Sequence, residues 1–404
     1  KIEYNIYARL YARYRGFMNP FTSKDIVVLD VTSRLMSVMV GCKKAQSVYD
    51  VKASVDREYA GFCDGEWLDE SETVSVAEEV LTEAMKTSLS RSKRLFIGVP
   101  AEFVTVVNKP VSITLDRVRR IIDADIDYLL KKGNTFAESD FEVINSSAIC
   151  YSVDTSDKLY FDVRGMVAGR VESTVSYMLC ETRFMDLFAS VARRCGFKEI
   201  RFVASPWAEG ISLFEREQRD ASYVLVDIGY ISSFIAVGRG EGLSDLKSFS
   251  LGGAHISADI FEVLQVPYEF AERAKELVDL NLNYADDAVL VADNEYTVFA
   301  SDACEIVKAR LEVFADLIKS VLDSLDSPTY VPIYLTGEGI TAIRGAKKFL
   351  SEEIGRNVEI CAPKLPGYSR PDDSSKVALL VVADNLSKSN IGEYIKRVIN
   401  GGKQ

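Results

Sequence analysis

Residues 224–238, VLVDIGYISSFIAVG, limit the possible folds most sharply. An apolar strand (Tyr223, Val224, Leu225, Val226, with Ile228 beyond) carries Asp227 near its end. A turn holding Gly229, Ser232 and Ser233 follows, and then a second apolar strand of Phe234, Ile235, Ala236 and Val237. This pattern predicts a β-hairpin tipped by an acid. A polar turn between buried strands can aim backbone N–H groups at phosphate oxygens. The acid can hold a divalent cation through water, the usual arrangement for magnesium on a nucleotide. An ordinary hairpin with an Asp at its rim has the same sequence.

A second copy lies at residues 26–41, IVVLDVTSRLMSVMVG. An apolar strand again ends in an acid, Asp30, followed by Thr32 and Ser33 and by an alternating strand that closes on Gly41. Two such hairpins predict two related halves facing one cleft. A third element, residues 331–339 (VPIYLTGEG), predicts a strand running into a Gly-containing turn and a helix.

The chain has 404 residues, too many for one simple core, so two or more domains are expected. A net charge of −12 argues against a general nucleic-acid binder. Seven scattered cysteines with no C-x-x-C pair fit reduced thiols in a cytoplasm. The single histidine, His255, excludes a His-rich metal site and a Ser-His-Asp triad, and is read as structural. There is no secretory signal and no apolar run long enough for a membrane span.

The order of these motifs resembles the actin-type ATPase superfamily, and within it the bacterial cell-division FtsA family. The segments that carry the resemblance lie within residues 24–385. They are Gly65-Glu-Trp-Leu-Asp69, Leu95-Phe-Ile-Gly-Val-Pro100, Arg194-Cys-Gly-Phe197, Leu251-Gly-Gly253 leading to Asp259, and Leu335-Thr-Gly-Glu-Gly339. The resemblance implies an α/β, actin-like two-domain fold: duplicated ribonuclease-H-like cores with an inserted FtsA-type subdomain IC. It divides the chain into a basic extension (1–24), subdomain IA (25–91 and 179–220), IC (92–178), IIA (221–262 and 328–376), IIB (263–327), and a return to IA with a C-terminal helix (377–404).

The resemblance also implies a site. Asp30 and Asp227 would hold Mg2+. Thr32, Ser33, Gly229, Ser232, Ser233, Gly252, Gly253, Gly337 and Gly339 would surround ATP, with Glu272 and Lys275 reaching ribose or base; otherwise those two form a solvated i,i+3 pair. Implied partners are the FtsZ C-terminal peptide at IIB, other divisome proteins at IC, further copies of the chain in polymers, and the inner membrane face. A PilM-like pilus scaffold and an active ATPase or kinase of the same fold are the alternatives.

The sequence departs from the family where phosphate would sit. The family's second hairpin reads Asp-x-Gly-Gly-Gly-Thr-x-Asp, whereas this chain has Tyr230 and Ile231 for two of the glycines and Phe234 for the trailing acid. Thr32 replaces a glycine in the first hairpin, and Glu338 enters the late turn. Bulky and β-branched residues obstruct close phosphate approach, and an acid repels it. ATP with Mg2+ is therefore expected to be weak or lost, and hydrolysis slow.

Several local expectations complete the reading. Residues 1–24 hold five basic side chains against one acid, and Ile6, Leu10 and Tyr14 share a helical face, so they form either a membrane- or partner-binding helix or a loose extension. Helices are expected at 76–85 (capped by Ser75 and Glu78), 115–130, 184–195, 256–264, 270–280, 304–325 and 343–354, and strands near 141–151 and 159–168. Residues 369–375 read as a turn. Glu209 reads as a helix-start carboxylate, with a cleft acid as the alternative. Ile391, Tyr394, Ile395, Val398 and Ile399 mark a C-terminal amphipathic helix, either packed or membrane-bound.

Overall fold

The computed structural model describes residues 25–44, 48–136, 140–325 and 327–400, with side chains through Ser387. The extension 1–24 and the side chains of the C-terminal amphipathic face lie outside the described residues.

The first half opens with β1 (Ile26–Val31), β2 (Leu35–Lys43) and β3 (Tyr49–Glu58), an antiparallel meander in which Asp30 faces Ser37. A small ribbon, β4 (Phe62–Cys63) with β5 (Glu66–Trp67), leads into α1 (Glu70–Ser88). β6 (Arg94–Val99) then runs parallel to β1. A three-stranded antiparallel sheet follows: β7 (Val104–Arg120), α2 (Asp123–Lys132), β8 (Phe141–Val153) and β9 (Val167–Glu181), with β9 central. α3 (Thr182–Arg194) returns the chain to β10 (Glu199–Ala204), which completes a sheet ordered β10-β6-β1-β2-β3.

α4 (Ser205–Leu213) and α5 (Arg216–Ala221) connect to the second half. Its meander is β11 (Tyr223–Ile228), β12 (Ser233–Arg239) and β13 (Gly242–Phe249). Helices α6 (Gly253–Leu264) and α7 (Tyr268–Leu277), the ribbon β14 (Val289–Ala292) with β15 (Thr297–Phe299), and the long α8 (Ala300–Ser324) follow. β16 (Ile333–Thr336), α9 (Ala346–Ile354) and β17 (Val358–Ile360) finish a sheet ordered β13-β12-β11-β16-β17. The two sheets share one plan, three antiparallel strands followed by two parallel ones. α10 (Ser374–Asn400) then packs back on β1, β2 and β6 through Val377, Leu379 and Leu380.

β1 and β11 sit at the centre of their sheets with both faces covered, which explains their unbroken apolar runs. The apolar cluster of the first half does not stop at the cleft. It continues through Leu225, Phe234 and Ala236 of the second half to Phe103, Met178 and Cys180. Phe234, read above as a lost acid, is thus a buried part of the junction between halves. β13 would be an exposed sheet edge but is covered by the three-stranded sheet, which bonds to it through Ser176 Oγ–Leu243 O (2.7 Å) and Asn108 Nδ2–Ser244 O (2.6 Å).

The structure corrects several expectations. The helix after Trp67 starts at Glu70, because Asp69 caps it by accepting the Glu72 N–H at 2.9 Å; Ser75 lies inside it. Residues 115–120 are strand, since Val111, Ile113 and Leu115 alternate with more exposed neighbours, and the helix begins only at Asp123. The strand placed near 159–168 is instead the long β9. The strand 95–99, grouped above with the insertion, belongs to the first sheet. Residues 369–375 hold a 3-10 turn (Pro371–Asp373) that runs straight into α10.

Candidate functional site

The acid of each hairpin sits one residue before its strand ends, so the strand pairing itself aims Asp30 and Asp227 at the junction between halves. β16 runs parallel to β11 and sets Thr336 beside Asp227. Its next residue, Gly337, has φ +92°, a conformation that only glycine adopts freely, and a Cβ there would press on Asp227 Oδ1 and the Ile228 carbonyl. We expect Gly337→Ala to cost about 2–5 kcal/mol, the sum of a left-handed backbone penalty and overpacking. Urea midpoints would measure it, and a cost below about 1 kcal/mol would show that the turn can shift.

Every candidate site residue that the sequence suggested converges here, but their polar groups face one another. Thr32 Oγ1 accepts the Leu35 N–H (3.0 Å) and closes its own turn. Ser33 Oγ crosses to the second hairpin and accepts the N–H groups of Ile231 (3.1 Å) and Ser232 (3.2 Å). Gly229 N–H bonds to Ser232 O (3.1 Å), and Ser233 Oγ donates to Leu251 O (2.5 Å). Gly253 N–H bonds to Gly229 O (2.9 Å), Ala254 N–H to Tyr230 O (2.8 Å), and Gly339 N–H to Ile228 O (2.7 Å). The Gly252 N–H is capped by His255 Nδ1 (3.1 Å), so the lone histidine closes the start of α6. A Cβ on Gly253 would lie 2.5 Å from Gly339 O: these glycines let backbone meet backbone.

On α7, Lys275 is buried, with Nζ on Glu272 Oε1 (3.0 Å) and Gly253 O (3.3 Å). The pair is therefore not solvated. Between α7 and the first hairpin stands Tyr230. Arg34 lies over its ring at 4.4 Å, Lys275 Nζ lies 5.7 Å from the ring centre, and its hydroxyl meets Tyr268 Oη at 3.0 Å. Arg34 also grips Glu58 (2.7 Å) and reaches Glu338 (3.6 Å).

Beneath these contacts lie three carboxyls, Asp30 and Glu209 buried and Asp227 half-buried. Asp30 accepts the Ser375 hydroxyl (2.7 Å), yet burial pushes it up to about 6. Burial pushes Asp227 up to about 7, and it raises Glu209 well above the usual carboxylate range. Glu209 and Asp227 hydrogen-bond to each other, which requires a shared proton. Glu209 Oε2 meets no protein donor, which that proton can satisfy. Glu209 is thus a cleft acid, not a helix-start carboxylate. It is the only charged residue in α4, and a lone charge in such a helix was the available signal.

A magnesium nucleotide needs free N–H groups, ionised acids and cationic side chains to spare. Here the N–H groups named above have protein acceptors. Burial raises all three acids above the usual carboxylate range and so weakens the charge they would offer a cation, and Arg34 and Lys275 are already paired. The donor set does not fit the group as arranged.

The family model "Cell division protein FtsA" matches residues 224–378, from the second hairpin into α10. The FtsA protein of Pseudomonas aeruginosa is 23% identical over 349 residues, covering 82% of this chain and 81% of that one. Among solved structures, the PilM–PilN type IV pilus biogenesis complex aligns with a TM-score of 0.59 at 13% identity, over 89% of this chain and 98% of that one. MreB5 of Spiroplasma citri bound to AMPPNP aligns with a TM-score of 0.51 at 11% identity, over 94% and 99%. At such identities the structures establish the actin-like fold and nothing finer.

Proposed function

The chain belongs to the FtsA family of cell-division proteins, on an actin-like fold, and from that premise we propose that it is a cytoplasmic scaffold. It binds the C-terminal peptide of FtsZ through subdomain IIB, gathers other divisome proteins at the three-stranded insertion, associates with further copies of itself, and works at the inner membrane face. Attachment there is peripheral in this reading; among the described residues no helix is long and apolar enough to cross a membrane.

One observation carries the reading. The β14–β15 ribbon presents the cross-strand pair Val289 and Phe299 to solvent, 54% and 38% exposed, and the ribbon pairs with no third strand among the described residues. An exposed apolar pair on a free strand edge suits a short peptide, which can add main-chain bonds and bury an anchor side chain. We expect Val289→Asp with Phe299→Ala to weaken binding of an FtsZ-tail peptide at least about tenfold in fluorescence anisotropy, or ~1.4 kcal/mol. Unchanged affinity removes IIB as the site. Capture of a pilus-protein peptide and not of FtsZ would replace the division scaffold with a pilus scaffold.

A further inference from the structure

We propose that the cleft is closed by an internal latch: the Ser33 hydroxyl and the Tyr230 ring take the place of a bound nucleotide and hold the two halves in one arrangement. This inference concerns the cleft alone and does not depend on which partner the scaffold binds.

The argument starts from donors. The turn of the second hairpin points two successive N–H groups, Ile231 and Ser232, toward the first hairpin. Paired N–H groups of this kind form an anion-binding concavity when they are free. Ser33 Oγ, from the opposite half, supplies the acceptor, and Ser33 is only 3% exposed. A neutral hydroxyl thus satisfies donors that would otherwise be costly to bury. Thr32 Oγ1 is held within its own turn by Leu35, so Ser33 is the bridging hydroxyl of that hairpin.

The side chains tell the same story. Arg34, Lys275, Glu272 and Glu338 come from three segments, the first hairpin's turn, α7 and the turn after β16, and Glu272, Arg34 and Glu338 all act electrostatically on Tyr230. Groups suited to surround a nucleotide's base, ribose and phosphates therefore surround a tyrosine. Cation–π contacts from Arg34 and Lys275 take up part of the charge that phosphate would need. The Tyr230–Tyr268 hydroxyl contact ties the ring's far end to α7. The Arg34–Glu338 pair adds a second link across the cleft, and the shared apolar cluster at Phe234 adds a third. Contacts spread over hairpin, helix and core favour one fixed closure, not a ligand-gated one.

Isothermal titration of the full chain with Mg-ATP tests the latch. The wild type is expected to show no saturable heat at about 1 mM nucleotide, which places Kd above that range. Tyr230→Ala with Ser33→Gly, which frees the amides and the ring's volume, is expected to gain at least about tenfold in affinity. Saturable micromolar binding by the wild type overturns the proposal. So does a double variant that keeps a native circular dichroism spectrum and still fails to bind. If the double variant does not fold, hydrogen exchange on Ser33→Ala decides. The Ile231 and Ser232 amides are expected to be protected in the wild type and to exchange at least about tenfold faster in the variant. Fast exchange of these amides in the wild type, or no change in the variant, overturns the latch.

Discussion

Raising the pH from about 5 to about 8 is expected to lower the unfolding free energy by roughly 3–5 kcal/mol. The cause is the carboxyl group at the junction of the halves. Burial pushes Asp30 up to about 6 and Asp227 up to about 7, and raises Glu209 well above the usual carboxylate range. In the unfolded chain these acids release their protons near pH 4. Between that pH and about 7 the folded state keeps protons that the unfolded state has lost, so rising pH favours unfolding. The groups facing the acids do not reverse this. Lys376 lowers the Asp30 value, but Asp56 raises it, and Glu338 raises that of Asp227. Urea titrations at both pH values give the slope directly. Asp227→Asn should remove much of it and stabilise the chain at the higher pH. A flat or rising profile would mean that the acids are ionised and held by a partner such as a bound cation.

Phe103→Ala is expected to destabilise the first half by about 3–5 kcal/mol, the usual cost of deleting a fully buried aromatic ring. Phe103 is 0% exposed and joins several elements. Trp67 stacks on it at 5.1 Å, Phe62 meets its edge at 5.2 Å, and Phe184 lies 5.0 Å away. Phe188 packs in turn on Phe184 and Trp67. The β4–β5 ribbon, α3 and the turn before β7 therefore share one aromatic knot. A ribbon of two-residue strands has little stability of its own, so losing Phe103 should also free the ribbon to exchange. Calorimetry would show a lower melting temperature, and hydrogen exchange would show early opening at residues 62–67. A loss below about 1 kcal/mol would mean that the neighbouring rings refill the space.

The sequence alone determined the plan of the molecule. Asp30 and Asp227, each at the end of an apolar run and followed by a polar turn, announced two matching hairpins, because strand alternation and turn chemistry are local properties. The glycines at 252, 253, 337 and 339 marked close backbone approach, and the backbones do meet there. Helical spacing placed the end of α8 within one residue, but α8 begins at Ala300, four residues before the expected start, and α1 runs to Ser88, three beyond its expected end. Periodicity failed where the local pattern was ambiguous: residues 115–120 are strand because β9 pairs with them at Arg119 and Arg120, a partner distant in sequence.

Only the tertiary structure decided what fills the cleft. Tyr230 and Ile231 read as obstacles to phosphate, but their sequence does not say where a tyrosine ring will go. Its place depends on Arg34 of the first hairpin and on Lys275 and Tyr268 of α7, two elements distant in sequence. Ser33 looked like a phosphate contact because a hydroxyl in a turn suits one. The acceptor it offers to Ile231 and Ser232 exists only once the halves close. Glu209 read as a helix-start carboxylate, with a cleft acid as the alternative, until folding buried it against Asp227. Burial and pairing across long sequence separations set these roles, and neither is written in the local order of residues.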